Sequence, residues 1–448
     1  MIFEKIKQSL KPQKVKKLEL IIFFTISIII ITSNIWIRDY FTQISLDLIL
    51  YLNNISPNLT KTFSNLGFNN ITPILLLTFS ILILNFCNIF KLLIYHAIIY
   101  TAFGITAFLK LLYRHDMIFI YAQKKYIHLE PNICNITWAS ISLHSVLATC
   151  ILLTVSNIVV KPNCIWGKKL LVYIASFILI LFINFCIFCF YIYSIADLVF
   201  SSIIGAIIVI FYINVLKIDF HKSHDLKIFL NRAKFPYLVF NILITLTIII
   251  LYIFSYDMFN NTKRENAFFY YSESISHTNC FFKQPDNTNI SNDSLIILSI
   301  YLSNFSIVYG IYLDLNIINK NDEHRWGFFN FENDQNELQS IYTFSDEVKN
   351  GQWNKTSIKI NIIRIFIAYI TLILCYIPTM FIPIKYNNFF YIIIFFKYFI
   401  PNFFYGINLF FLLKIIYIKL NLVKTNAFRI KNKSSNSSVI LHEFLENK

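Results

Sequence analysis

Ten apolar runs of roughly twenty residues recur along this chain, and they leave few ways for it to fold. They lie at 18–37, 71–89, 92–112, 138–158, 170–191, 194–216, 237–256, 294–314, 358–384 and 389–418. A helix needs about 20 apolar residues to cross a bilayer, and inside it every backbone polar group has to be satisfied within the segment. The composition agrees with a lipid solvent. Of 448 residues, 56% are hydrophobic and 14% charged, whereas soluble domains carry about 25% charged residues. The sequence therefore predicts an all-α, polytopic membrane protein of about ten transmembrane helices, not a soluble enzyme on an anchor.

The charge pattern orients the runs. The net charge is +15, and in such a chain it reports basic loops facing anionic lipid, not nucleic acid. Six lysines crowd residues 1–18, which read as a basic cytosolic N-terminus. From there the loop holding Lys161, Lys168 and Lys169, the segment 217–236 and the tail 419–448 all count to the cytosolic side. The tail is Lys-, Ser- and Asn-rich and reads as disordered. Between the ends, 19–216 reads as a six-helix core and 217–418 as a four-helix C-terminal extension. Residues 38–70 are expected to be a polar loop, with an interfacial helix near 46–52. The loops 257–293 and 315–357 are long and polar.

Two features argue against other classes. The chain has only 8 glycines, few for a transporter built on broken, closely packed helices. Cys186 and Cys189 form a CxxC inside an apolar run with no second pair or His nearby, a packing arrangement and not a metal or redox one. No His/Asp/Glu cluster supplies metal ligands, so neither a metal nor another cofactor is expected.

Ionisable groups stand where hydrocarbon should begin, and such groups are costly unless they meet a partner or a water-filled cavity. Ser142 and His144 open the run at 138–158. Tyr193, Ser194 and Asp197 open the run at 194–216. Lys110 and Arg114 close the run at 92–112. The topology count brings all of them to one membrane face. Two cations, a hydroxyl, a His and a carboxylate at one depth suit a phosphate group. The cations bind its oxygens, the His protonates a leaving alkoxide and the carboxylate orients a base.

The order Lys110-x-x-x-Arg114, Ser142-x-His144 and Tyr193-Ser-Ile-x-Asp197 resembles the three motifs of the type 2 phosphatidic acid phosphatases. Within them it is most similar to the sphingosine-1-phosphate phosphatase branch. The similarity extends to the stretch 362–383 and to the aromatic run 389–413. The resemblance implies a lipid-phosphate phosphohydrolase of the endoplasmic reticulum that acts on or binds long-chain base phosphates at the lumenal face. It makes Lys110, Arg114 and Ser142 phosphate-binding residues, His144 the general acid and Asp197 the carboxylate behind the nucleophile. Tyr193 occupies the nucleophilic His position and Ile187 the position of a late Arg. A Tyr with its pKa about 10 is a poor nucleophile, so weak or absent hydrolysis is expected. An inactive relative and an unrelated membrane transporter are the alternatives.

Overall fold

The computed structural model describes residues 17–56, 62–63, 71–87, 89–113, 141–160, 164–189, 192–216, 218, most of 241–250, 292–313, 358–377, 390–420 and 422. Its regular structure there is helical, with no strand among the described residues. The helices are α1 (Lys17–Ile55), α2 (Ile71–Phe86), α3 (Ile89–Tyr113), α4 (Leu143–Val159), α5 (Trp166–Phe188) and α6 (Ile195–Ile210). After them come α7 (Asn292–Leu302), α8 (Phe305–Leu313), α9 (Ile358–Leu374), α10 (Phe390–Ile407) and α11 (Leu413–Lys419). One wide π-type turn, Phe211–Val215, extends α6, and another, Asn408–Leu412, joins α10 to α11.

Five helical stretches are long and apolar enough to cross a membrane: Phe90–Tyr113, Trp166–Phe188, Ile195–Val215, Leu295–Leu313 and Ile392–Tyr417. The apolar helices Ile71–Phe86 and Leu143–Val159 are shorter. The chain is thus a helical integral membrane protein. The outward side chains of α5, among them Leu171, Phe177 and Leu181, are apolar and exposed, as a lipid-facing helix requires.

Side-chain contacts give the helix directions. Ser145 of α4 meets Ser202 of α6 at 3.0 Å, and further on Cys150 donates to the Gly205 carbonyl at 3.4 Å. The two helices therefore run the same way, and both begin at one end of the bundle, called here the upper end. α3 runs against them, with Thr101 beside Tyr212 and Tyr113 beside Phe200. α1 also runs against α6: Phe23 packs on Phe211, and Arg38 reaches Asp197. Gly205 makes the α4–α6 approach possible, because a Cβ there would stand 2.7 Å from the Val146 carbonyl oxygen.

α3 is the central helix, and one apolar cluster surrounds it with residues from α2, α4, α6, α7, α9 and α10. Polar links cross the same interior. His96 of α3 lies 3.4 Å from the Tyr405 hydroxyl of α10, and Thr78 of α2 lies 2.6 Å from the Tyr369 hydroxyl of α9. The run near 294–314 is interrupted at Ser303 and Asn304, between α7 and α8. Asn304 there donates to Asn241 at 2.8 Å.

The clearest departure from the sequence reading is α1. No loop begins at residue 38. The helix that starts at Lys17 runs on to Ile55, 39 residues in all, about 58 Å at 1.5 Å per residue. One face carries it past the apolar run: Arg38, Thr42, Ser45, Leu46 and Ile49 are all buried. Their spacing of four, three, one and three is that of one helical stripe. Packing of this stripe on α6 and on the end of α5 keeps helical a segment whose polarity suggested a loop.

Candidate functional site

Asp197 is the third residue of α6 and is fully buried. Its Oδ2 accepts from the Ser194 backbone N–H at 3.0 Å and from the Ser194 hydroxyl at 2.8 Å. In return, the Asp197 N–H donates to Ser194 Oγ at 3.0 Å. This reciprocal capping box satisfies donors that the first turn of a helix leaves open. The other oxygen, Oδ1, accepts from Arg38 Nε at 3.0 Å, and Arg38 is itself 2% exposed. The carboxylate is thus held at both oxygens by a serine and a guanidinium. Such a pair offsets the several kcal/mol that desolvation costs each ion.

The hydroxyls around the pair stitch the helix starts together. Ser45 of α1 accepts from the Ile195 N–H at 3.0 Å. Ser142 caps α4 by accepting from the Ser145 N–H, and its own N–H donates to Ser201 Oγ at 2.9 Å. Ser145 Oγ lies 3.1 Å from the Leu198 carbonyl oxygen, and Asn184 of α5 donates to Ser202 at 2.8 Å. Four helices therefore share one buried polar layer at the upper end. The N-termini of α4 and α6 open side by side there, and both carry the partial positive charge of a helix start.

Ser142, His144, Tyr193 and Asp197 all lie at this end, and Lys110 lies in the last turn of α3 there. Lys110 is buried and His144, the second residue of α4, is half-buried. Arg114 lies outside the described residues. Tyr193 is 2% exposed within an apolar cluster that also holds Leu46, Ile49, Ile187, Phe188 and Ile192. Ile187 in that cluster is fully buried. Tyr193 and Ile187 thus share one apolar cluster with Leu46 and Ile49 of α1. Cys186 and Cys189 are buried free thiols, and no group of metal-binding side chains occurs among the described residues.

Sequence reasoning missed Arg38, Ser45 and the Ser145–Ser202–Asn184 chain. Arg38 had a signal. It is the only Lys or Arg between Lys17 and Lys61, and it ends an apolar run, which is where a buried carboxylate elsewhere finds its counter-ion. Nothing in the sequence paired it with a residue 159 positions away.

Comparison with protein-family models, with curated proteins and with solved structures finds no match for this chain. Its class therefore rests on the helices themselves and on this buried layer.

Proposed function

We propose that the upper end of the bundle is a lipid-phosphate site of phosphatase-like design that binds its ligand without turning it over efficiently. The observation that carries the reading is the commitment of Asp197. Arg38 and Ser194 hold both of its oxygens, and Tyr193 sits in an apolar cluster. A carboxylate so engaged does not activate a nucleophile in the manner of a phosphatase. Anion binding has support instead from the two adjacent helix starts and from buried Lys110. Long-chain base phosphates such as sphingosine 1-phosphate are the ligand class that the sequence resemblance suggests.

In this reading ten spans cross the endoplasmic reticulum membrane, both termini are cytosolic and the site is lumenal. The test uses purified full-length protein in phosphatidylcholine nanodiscs. Sphingosine 1-phosphate is expected to bind, Lys110→Ala to weaken it about fivefold or more, and phosphate release to stay near background. Turnover that is lost in His144→Ala would instead make the protein an active phosphatase with His144 as its general acid. A membrane transporter is the second reading, favoured by the interruption at Ser303 and Asn304, since broken helices mark many transport sites. Saturable uptake into vesicles, with no binding of lipid phosphate, would select it.

A further inference from the structure

The first turn of α6 is suited to an anion, yet α1 already occupies it. A helix start leaves its leading N–H groups open, and these are the donors that a phosphate oxygen takes. In α6 the leading one belongs to Ile195. It donates to Ser45 Oγ of α1 at 3.0 Å, and the Ser45 hydroxyl passes its own proton to the Phe41 carbonyl at 2.6 Å. Two residues further into α6, Asp197 is held by Arg38 of the same long helix. Leu46 and Ile49 of α1 join Tyr193 in one apolar cluster. Arg38, Ser45, Leu46 and Ile49 are thus buried along one face of the arm 38–55. The opposite face is bare. Tyr40 is 71% exposed, Tyr51 and Ile55 are 62% exposed, and Ile44 and Leu48 are exposed with them.

Among the described residues the arm is therefore held from one side only, and a segment held in this way opens more readily than the core helices it lies on. The arm and an anion compete for one donor, the Ile195 N–H. Such competition is reciprocal. Whatever holds the arm down lowers the apparent affinity for the anion, and a bound anion loosens the arm. We propose that residues 38–55 of α1 are an autoinhibitory latch on the upper site, with the Ser45 hydroxyl standing where a phosphate oxygen of the ligand binds. The inference rests on the lipid-phosphate reading of that site and adds a step to it. The arm lifts, the Ile195 N–H is released and the phosphate takes it.

The test measures sphingosine 1-phosphate binding to the full chain in phosphatidylcholine nanodiscs, with sphingosine as the ligand that lacks the phosphate. Ser45→Ala removes the hydroxyl from the Ile195 N–H, and Ile49→Val trims the apolar hold of the arm. Both are expected to tighten sphingosine 1-phosphate binding, Ser45→Ala by about fivefold, the worth of one hydrogen bond, and to leave sphingosine binding unchanged. Both variants melt earlier than wild type without ligand. A gain in affinity that accompanies a loss of stability is what a merely structural contact would not produce. Thr42→Val, whose hydroxyl bonds the Arg38 carbonyl of its own helix, leaves binding as in wild type. Hydrogen exchange is the second readout: sphingosine 1-phosphate is expected to speed exchange of the amides of 38–55. Binding that Ser45→Ala and Ile49→Val weaken or leave as in wild type overturns the latch while the lipid-phosphate reading stands. So does a ligand that slows exchange in 38–55 or leaves it unchanged. Absence of sphingosine 1-phosphate binding in wild type and in every variant overturns both.

Discussion

The two ends of the bundle bury charge in opposite ways. At the upper end, Asp197 meets a full countercharge from Arg38, and a serine holds its second oxygen. At the lower end, Arg364 meets a backbone carbonyl and a tyrosine ring. The difference follows from what a folded backbone offers. Helix ends and turns present many carbonyl oxygens, so a guanidinium with five donors finds partial compensation nearly anywhere the chain stops. A carboxylate needs N–H groups, which are open only at helix starts, and the first turn of α6 cannot supply enough of them. A cation has to be brought from elsewhere, and α1 brings it. Among the described residues, the buried carboxylate of the upper end is consequently met by a full countercharge, whereas Arg364 is met by partial charges.

Breaking the upper pair should give the largest effect. Asp197→Ala leaves Arg38 buried opposite an apolar group and removes half of the capping box. It is expected to destabilise the protein by about 3–5 kcal/mol, read as a fall in melting temperature in detergent. Arg364→Gln takes away a charged donor but leaves a neutral carbonyl that water can satisfy at the bundle end. It should cost about 1.5–3 kcal/mol, and a cost equal to that of Asp197→Ala would erase the distinction between the ends. Arg38→Met combined with Asp197→Leu replaces both charges by apolar side chains of similar length. It should leave the melting temperature within a few degrees of wild type or raise it, because a buried ion pair contributes little net stability over a well-packed apolar pair. A large fall in the double variant would mean that the pair does more than balance itself.

Parts of this contrast are legible in the residues and parts are not. Asp197 stands out because an acid at the start of an apolar run has to be compensated. Ser194, three positions before it, announces the capping box. Arg38 carries a signal as the lone cation closing an apolar run, but the polarity of 38–70 reads as a loop when its neighbours are unknown, so nothing points it inward. Its buried stripe of Arg38, Thr42, Ser45, Leu46 and Ile49 becomes a helix face only against α5 and α6. Arg364 reads as one cation within the apolar run 358–384, and its partner is a backbone carbonyl, which no side-chain pattern reveals. Tyr193 and Ile187 depart from the phosphatase motifs on sight. That both belong to one apolar cluster under α1 is a matter of packing.

The sequence by itself determined the solvent and the helical form of the apolar runs. Long apolar runs with scarce charge can satisfy their backbone in lipid only as helices, and that constraint is local to each run. The tertiary structure alone decided which charges meet. Arg38 and Asp197 lie 159 positions apart, and Arg364 and Leu422 lie 58 apart. A helix has several faces, and only the packing of α1 on α6 and of α9 on α11 selects the face that points inward. Electrostatic compensation acts over a few ångströms, so it depends on that selection and not on order along the chain.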